Sequence, residues 1–248
     1  MLLQVGAVYF WKHHLLCGDM MGLTLTAHQP MYLPWLGLFD KIARADVFVY
    51  LDSVPMESSG YENRNKICTA HGWQWLTVPV LRQGYQDRPI STIEINNDIP
   101  WQRKHLRSLE HAYRHAEYFS WTMNGLVGIY EQRFDLLTVL NAHQMLVFLA
   151  MLKIPTVFSW SAHTYEGHKS DLVLDICKKH GATRFIFGAK GRDYAKVEDF
   201  EREGIELEFQ EYVHPVYPQL HGEFLPNMSV VDLLMNCGPK SLEILVNK

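Results

Sequence analysis

The segment from His28 to Trp35 concentrates side chains that could bind a ligand or transfer a proton. It reads HQPMYLPW and combines an imidazole, an amide and two larger aromatic rings. His28 is a candidate general acid or base, or a phosphate contact. Gln29, Tyr32 and Trp35 are candidates for substrate binding, the two rings by stacking on a base or a sugar. Each also has a structural interpretation, since His28 could hydrogen-bond its own loop and the rings could belong to the core.

A second polar cluster follows the run VFVYL and could supply positive charge to the same ligand. It consists of Asp52, Asn63, Arg64, Asn65 and Lys66. Arg64 and Lys66 are predicted to bind an anion, because a guanidinium matches the geometry of phosphate and carboxylate groups. Asp52 and Arg64 complete, with His28, the candidate catalytic residues, and the other three are candidates for substrate binding. The alternatives are that Asp52 caps a turn and that residues 63–66 form a solvated face.

Two more clusters lie in the C-terminal half and are also candidates for substrate binding. They are Gly188, Lys190, Asp193 and Tyr194, and then His214, Tyr217 and Gln219. The turn GAKG would let the backbone approach a ligand closely, although the pattern of a Walker phosphate-binding loop is absent. Gly188 and Gly191 could equally serve only to shape a turn. Tyr217 would orient an acceptor together with Asp52.

The elements predicted around the first two clusters form a β-loop-α-β unit. A strand over residues 23–27 precedes a helix that begins at Pro34, where proline is tolerated, and that ends by Asp46. The apolar run over residues 47–51 is typical of a strand that is buried on both faces in a parallel sheet.

All four clusters follow predicted strands, and ligands of parallel sheets bind at the carboxyl ends of the strands. We therefore predict that one cavity is lined by five side chains: His28, Tyr32, Trp35, Asp52 and Arg64. The alternative is that Tyr32 and Trp35 fill the core while His28 turns to solvent.

The remaining chain is predicted to alternate between strands and helices. Residues 57–67 are predicted as a loop, 73–80 and 90–95 as strands, and 101–118 and about 122–152 as helical regions. A strand over residues 154–160 and two helix–strand units follow, and Ser170 or Asp171 is expected to cap the first helix of these units. The alternation indicates an α/β fold class, as a single Rossmann-like domain with a mainly parallel sheet and a helical insertion.

Composition narrows the classes of function. Of the 248 residues, 48% are hydrophobic, and the formal net charge is −4. General nucleic-acid binding is not expected, because it would need a basic surface. The densest apolar run, residues 145–152, is too short for a membrane span. The four cysteines lack the spacing of a zinc site or a disulfide framework, which favours reduced thiols and a cytoplasmic protein.

Metal and cofactor motifs are not found in the sequence. His111 and His115 lie four residues apart on a predicted helix, and we interpret them as a solvent-facing pair rather than as zinc ligands. No motif indicates a cofactor, and the oligomeric state is not predicted. Residues 1–22 are predicted to be an extension outside the functional core, which would comprise residues 23–248.

Five segments of the chain resemble the WbqC-like proteins. They are HQPMYLPWLGLFDKIARADVFVYLDSV, NRNKI, WLTVPV, GATRFIFGAKGRDY and HPVYPQLHGEFLPNMSVVDLLMNCG, and the resemblance covers roughly residues 23–240. Such proteins are often encoded in bacterial O-antigen and other surface-polysaccharide loci. The start of the chain is also faintly similar to pantothenate synthetase and other nucleotidyltransferase-like (HUP-type) proteins, which bind ATP with histidines at the first helix. Their H-x-G-H signature is absent here.

The resemblance and the clusters together suggest two functions. The first is a transferase that acts on a nucleotide-linked or acyl/aminoacyl substrate in the biosynthesis or modification of surface polysaccharide. The alternative is a non-catalytic protein that binds a nucleotide-sugar or a partner in the same pathway. A third possible function is that of an accessory protein in nucleic-acid modification, and the negative net charge of the chain counts against it. The expected partner is therefore a small-molecule or nucleotide-linked substrate.

Overall fold

Seven strands are present in a computed structural model that describes residues 22–57, 60–81, 87–160 and 164–246. They are β1 (Thr24–His28), β2 (Val47–Tyr50), β3 (Arg64–Thr69), β4 (Gly72–Thr77), β5 (Val157–Trp160), β6 (Arg184–Phe187) and β7 (Glu206–Phe209). Five of them form a sheet in the order β5-β2-β1-β6-β7, in which every neighbouring pair is parallel. The other two, β3 and β4, form a separate antiparallel hairpin.

The central strands are buried on both faces, as their apolar runs require. Phe48, Val49 and Tyr50 of β2 are fully buried, and the β6 residues Phe185 and Phe187 are nearly so. The predicted α/β fold class with a mainly parallel sheet is therefore confirmed.

Eight helices flank the sheet in the described part of the chain. They are α1 (Leu36–Ala43), α2 (Trp101–Tyr113), α3 (Phe119–Glu131), α4 (Leu137–Leu152), α5 (Ser170–His180), α6 (Val197–Arg202), α7 (Val230–Cys237) and α8 (Ser241–Leu245). The predicted helical insertion corresponds to α2, α3 and α4, which lie in sequence between β4 and β5.

The order of the strands creates a topological switch point. From β1 the chain continues through β2 to β5 on one side, and it returns through β6 and β7 on the other side. The loops that follow β1 and β6 therefore diverge where these two strands are neighbours, and in open α/β sheets a ligand crevice forms at such a place.

The hairpin shows that the predicted loop at residues 57–67 is wrong and that the predicted strand at residues 73–80 is only partly right. Residues 64–69 are a strand, although residues 57–67 are predicted as a loop from their polar composition. The strand reads as polar for two reasons. Arg64 and Lys66 lie on its outer face, and the residue on its buried inner face, Asn65, is also polar. The predicted strand at residues 73–80 exists as β4, but it pairs antiparallel with β3 because the short turn before Gly72 reverses the chain.

Several predicted boundaries are also wrong. The predicted strand at residues 90–95 is a 3-10 turn, Ile90–Thr92, followed by an isolated bridge at Ile95. The region predicted as helical over residues 122–152 is interrupted between α3 and α4 at residues 132–136. Neither Ser170 nor Asp171 caps α5, whose first flanking residue is Lys169. The Ser170 hydroxyl instead accepts a hydrogen bond from the Lys196 backbone N–H over 2.9 Å.

Several sequence expectations concern the chain outside the sheet. No helix in the described ranges is both long and apolar enough to cross a membrane. Cys68, Cys177 and Cys237 are free and buried. Cys17 and almost all of the predicted N-terminal extension lie outside the described residues, so the extension remains a prediction.

Candidate functional site

A crevice of about 350 Å³ opens at the switch point, beside the carboxyl ends of β1 and β6. Its walls are formed by His28, Trp35, Leu38, Lys41, Gly188, Ala189, Lys190, Gln210 and Tyr212. The volume is at the lower end of the range for small-molecule sites. A wider surface groove of about 440 Å³ lies on α2, far in sequence from the sheet strands, and it contains none of the predicted site residues.

Lys41 is the buried cation of the crevice. It is 3% exposed, and its Nζ donates a hydrogen bond to the Ala27 carbonyl oxygen at 3.0 Å. Burial, and to a smaller extent the nearby positive charge of Arg44, lowers the pKa of Lys41 to about 7. Among the described residues, the hydrogen-bond partner of this ammonium is neutral, and an anion would stabilise the ammonium by offsetting its lost hydration.

His28 is the last residue of β1 and is neutral at physiological pH. Its Nδ1–H donates to the Gln29 carbonyl oxygen at 2.9 Å, so Nε2 carries the lone pair. Burial, and to a smaller extent the positive charge of Lys41, lowers the pKa of His28 to about 4. The imidazole therefore presents a hydrogen-bond acceptor rather than a proton donor.

Gln210, which follows β7, is held in one orientation by its amide. Its Nε2 donates to the Gly37 carbonyl oxygen at 2.8 Å and to Asp40 Oδ2 at 2.7 Å. Both amide hydrogens are thus used inside the protein, and the remaining polar atom of the side chain is Oε1.

The apolar wall of the crevice depends on a glycine in α1. Trp35 and Tyr212 meet edge to face, with ring centroids 5.8 Å apart. A Cβ on Gly37 would lie 2.3 Å from the Trp35 ring and 2.9 Å from Tyr212 Cδ1. Only glycine lets both rings pack this closely on the helix.

The rim of the crevice is the turn after β6. Gly188 has an extended backbone, with φ −68° and ψ 166°, and a Cβ there would meet no atom within 4 Å. Gly191 differs, because a Cβ there would lie 2.6 Å from the Phe187 side chain. Gly191 is therefore required for packing, whereas Gly188 keeps the rim open. Lys190 is exposed on the same turn.

Taken together, the crevice favours an anion. Lys41 and Lys190 contribute positive charge, and no Asp or Glu in the described part of the chain lines the walls. The described residues also contain no group of three or more histidine, cysteine or acidic side chains that could hold a metal ion.

The predicted shared cavity of five residues is not formed. Of the five, only His28 and Trp35 line the crevice. Tyr32 is fully buried, and its hydroxyl lies 2.8 Å from both His105 Nδ1 and the Tyr130 hydroxyl. The structural interpretation therefore applies to Tyr32.

The loop around Tyr32 is fixed by buried amides. Leu33 has a left-handed backbone, with φ 44°. Its N–H donates to Gln144 Oε1 at 3.0 Å, and its carbonyl accepts from Asn65 Nδ2 at 2.6 Å. Gln144 Nε2 also donates to the Met31 carbonyl. The segment HQPMYLPW is dense because its middle is buried in the core while its two ends, His28 and Trp35, reach the crevice.

Asp52 follows β2, which lies on the side of β1 that is away from β6. Its Oδ2 accepts hydrogen bonds from Thr138 Oγ1 at 2.8 Å and from Trp160 Nε1 at 3.0 Å. Asp52 therefore joins the start of α4 to the end of β5, and it is not a wall residue of the crevice.

Arg64 and Lys66 lie on the outer face of the hairpin, among aromatic rings. The Arg64 guanidinium is 4.9 Å from the Trp75 ring centroid, and Lys66 Nζ is 4.3 Å from that of Trp73. Asn63 Nδ2 donates to the Val78 carbonyl within the same hairpin. None of the three lines the crevice.

The C-terminal candidates surround a different buried group, Asp232. Its carboxylate accepts hydrogen bonds from the hydroxyls of Tyr217 and Tyr113 and from Gln219 Nε2, over 2.7 to 2.8 Å. His214 Nε2 accepts from the Asn227 backbone N–H at 3.2 Å. This network joins α7 to the preceding loop.

Asp193 and Tyr194 are exposed beyond the rim, and the Tyr194 ring meets Phe187 edge to face.

Three polar wall residues are missing from the sequence-based candidates: Lys41, Gln210 and Tyr212. Lys41 could have been found as the one lysine within the apolar helix LGLFDKIA, at a helical spacing of three from Leu38. Gln210 and Tyr212 carry no local signal, because only the pairing of β6 with β7 brings them near His28.

Comparisons with known proteins agree with the resemblance in the sequence. A model of the WbqC-like protein family matches residues 29–244. The uncharacterized protein Rv1507c of Mycobacterium tuberculosis (strain ATCC 25618 / H37Rv) is 32% identical over 221 residues, which cover 88% of this chain and 95% of the relative. No solved structure matches the chain. The chain belongs to the WbqC-like protein family.

Proposed function

We propose that this protein is a transferase that binds the phosphate-bearing part of a nucleotide-linked or acyl/aminoacyl donor in the crevice. Its setting would be the biosynthesis or modification of surface polysaccharide, such as O-antigen. One observation carries the proposal: Lys41 is a buried cation at the switch point, and its hydrogen-bond partner is a backbone carbonyl. The crevice also lies where open parallel sheets bind their ligands.

The proposed transfer uses positive charge at the crevice. Phosphate is a good leaving group when cations neutralise the charge that develops on it. Lys41 from inside and Lys190 from the rim would provide this neutralisation, a role expected from the sequence for Arg64 and Lys66. Trp35 and Tyr212 would hold the apolar part of the donor.

A second candidate is a binding protein without catalysis. It is favoured by the chemistry of the walls, because His28 is neutral, with a pKa of about 4, and because no carboxylate among the described residues reaches the crevice. Such a set of groups binds an anion readily and leaves Lys41, with its pKa of about 7, as the candidate general acid.

Two measurements separate these functions. Calorimetric titration with pyrophosphate and sulfate, on wild type and Lys41→Met, tests for the anion site. A matched control is Lys178→Met, since Lys178 pairs with Glu203 on the surface. Mass spectrometry of mixtures of nucleotide-sugars or acyl donors with oligosaccharide acceptors then tests for transfer.

Anion binding that is lost in Lys41→Met supports the site. Turnover supports the transferase, and saturable donor binding without any product would support the binding protein. Equal anion affinity in wild type and Lys41→Met would refute both.

A further inference from the structure

Two neutral acceptors face the crevice beside its cation. We propose that the crevice recognises a hydroxyl-bearing phosphate ester, with the phosphate at Lys41 and Lys190 and with hydroxyl groups donating to His28 Nε2 and Gln210 Oε1. This inference rests on the proposed anion site and adds to it the chemistry of the neighbouring part of the ligand.

The first acceptor is fixed by the hydrogen bond on the opposite side of its ring. Because His28 Nδ1–H is donated to the Gln29 carbonyl, Nε2 must be the unprotonated nitrogen. Nε2 makes no hydrogen bond with a described residue. It is also not among the buried polar atoms that lack a partner in the described part of the chain, so it is accessible. His28 lines the crevice, so we infer that this lone pair is directed into it.

The second acceptor is fixed in the same manner. Gln210 is only 4% exposed, and both hydrogen bonds of its Nε2 are made within the protein. Oε1 has no hydrogen-bond partner in the described part of the chain and is not among the buried unpaired atoms, and because Gln210 lines the crevice we infer that Oε1 also faces it. Leaving a nearly buried amide oxygen unpaired costs free energy, which a donor on a ligand would recover.

The charges decide which donor fits. An ammonium group on the ligand would be repelled by Lys41, which lines the same crevice. A hydroxyl carries no charge, so it can donate to His28 and Gln210 while the adjoining phosphate contacts the lysines. Because both acceptors are neutral, they do not repel the phosphate as carboxylates would.

Gly188 gives this ligand room at the rim. Its φ of −68° suits any residue, and a Cβ would meet no atom within 4 Å. Neither backbone conformation nor packing within the described structure therefore requires glycine at this position. A ligand that approaches the backbone between β6 and the rim turn would account for the glycine at position 188.

Two kinds of compound carry this chemistry: a free polyol or sugar phosphate, and the ribose phosphate of a nucleotide. Calorimetry at pH 6.5 with matched pairs distinguishes them. The first pair is glycerol 3-phosphate and propyl phosphate, and the second is adenosine 5′-monophosphate and its 2′,3′-dideoxy analogue. We expect the hydroxylated member of at least one pair to bind about fivefold to tenfold more tightly, as one or two net hydrogen bonds provide.

Substitutions at His28 assign the hydroxyl contact. A glutamine amide reaches the position of Nε2, whereas an asparagine amide reaches only that of Nδ1. His28→Gln should therefore retain the preference for the hydroxylated ligand, and His28→Asn should reduce it to what Gln210 Oε1 alone provides while still binding propyl phosphate. Gly188→Ala should weaken both members of the preferred pair, whereas Gly128→Ala, on open space in α3, should weaken neither.

The outcomes separate this inference from the anion site. If propyl phosphate and glycerol 3-phosphate bind equally and the two nucleotides do as well, hydroxyl recognition is refuted while the anion site stands. If His28→Asn keeps the full preference, His28 is not the acceptor and the inference is wrong. If no phosphate compound binds, the anion site itself fails.

Discussion

Lys41 Nζ donates a hydrogen bond to the Ala27 carbonyl oxygen at 3.0 Å, so a buried cation joins the first helix to the carboxyl end of the first strand. The carbonyl groups at the end of a parallel strand are where ligands of such sheets bind. An amphipathic helix would normally direct a lysine to solvent, and here it lies with the buried face. This arrangement links the local sequence of α1 to the charge of the crevice.

Replacing Lys41 by methionine should weaken anion binding without unfolding the protein. Methionine has a similar length and removes the desolvated charge, so the free energy of unfolding at pH 6 should not fall below that of wild type. Affinity for sulfate should fall by about tenfold or more, as expected for a lost charge-assisted hydrogen bond. Urea unfolding and calorimetry measure the two quantities. A variant that unfolds more easily but binds sulfate normally would make Lys41 a structural residue.

Anion affinity should depend on pH through Lys41. Its pKa in the free protein is about 7, so the ammonium form is present below pH 7 and is lost above it. A bound anion stabilises that form and raises the pKa. Sulfate affinity should therefore be constant near pH 6 and should fall above pH 7 by up to about tenfold per pH unit. Sulfate is a suitable probe because its own charge is constant over this range. An affinity that is unchanged from pH 6 to pH 9 would contradict the assignment.

The sequence predicts some elements well because their signal is local. The run VFVY indicates a buried parallel strand, and β2 is this strand. The segment ENRNKI fails because its polarity arises from tertiary contacts: Asn65 is buried, and its amide donates a hydrogen bond to the Leu33 carbonyl. His28 is suggested by its position after a strand, whereas Gln210 reaches the crevice only through strand pairing distant in sequence. The site could thus be located at a sheet edge, but its cation and second acceptor could not be identified.

Gly37→Ala should destabilise the protein although alanine favours helices. The added Cβ would overlap the Trp35 ring and Tyr212. Overpacking of this kind costs roughly 1–3 kcal/mol of unfolding free energy. It should also weaken ligand binding, because the displaced rings form the crevice wall. Gly128→Ala is the matched control in a helix with free space, and it should stabilise by about 0.5–1 kcal/mol. Urea unfolding of both variants tests the contrast, and a stabilised Gly37→Ala would show that the rings adjust freely.

Gln144→Met should loosen the loop that separates His28 from Trp35. The substitution leaves the Leu33 N–H and the Met31 carbonyl without their buried partner. Unsatisfied buried groups cost about 1–3 kcal/mol each, so a loss of roughly 2–5 kcal/mol is expected. Hydrogen exchange at the Leu33 amide should accelerate in parallel. Gln132→Met is the exposed control and should change stability by less than about 0.5 kcal/mol. A small effect at Gln144 would mean that water replaces the amide.

Stability should fall in mild acid because His105 is buried and neutral. Its Nδ1 lies 2.8 Å from the Tyr32 hydroxyl, and burial lowers its pKa from 6.5 to about 4. Between these two values the unfolded chain binds a proton that the native protein does not, so the free energy of unfolding decreases as pH falls from 6.5 to 4. The loss that this residue causes should approach about 3 kcal/mol, at about 1.4 kcal/mol per unit of pKa.

The His105 contribution is isolated by comparing variants in urea at pH 7 and pH 4.5. His105→Gln should lose stability at pH 7, because the hydrogen bond to Tyr32 is disturbed, but it should lose less than wild type on going to pH 4.5. His111→Gln, at an exposed position of the same helix, should follow the wild-type pH dependence. His28 contributes acid sensitivity in the same direction, so His105→Gln retains part of it. An identical pH dependence in wild type and His105→Gln would mean that His105 takes up its proton in the folded protein as readily as in the unfolded chain, so that burial does not lower its pKa.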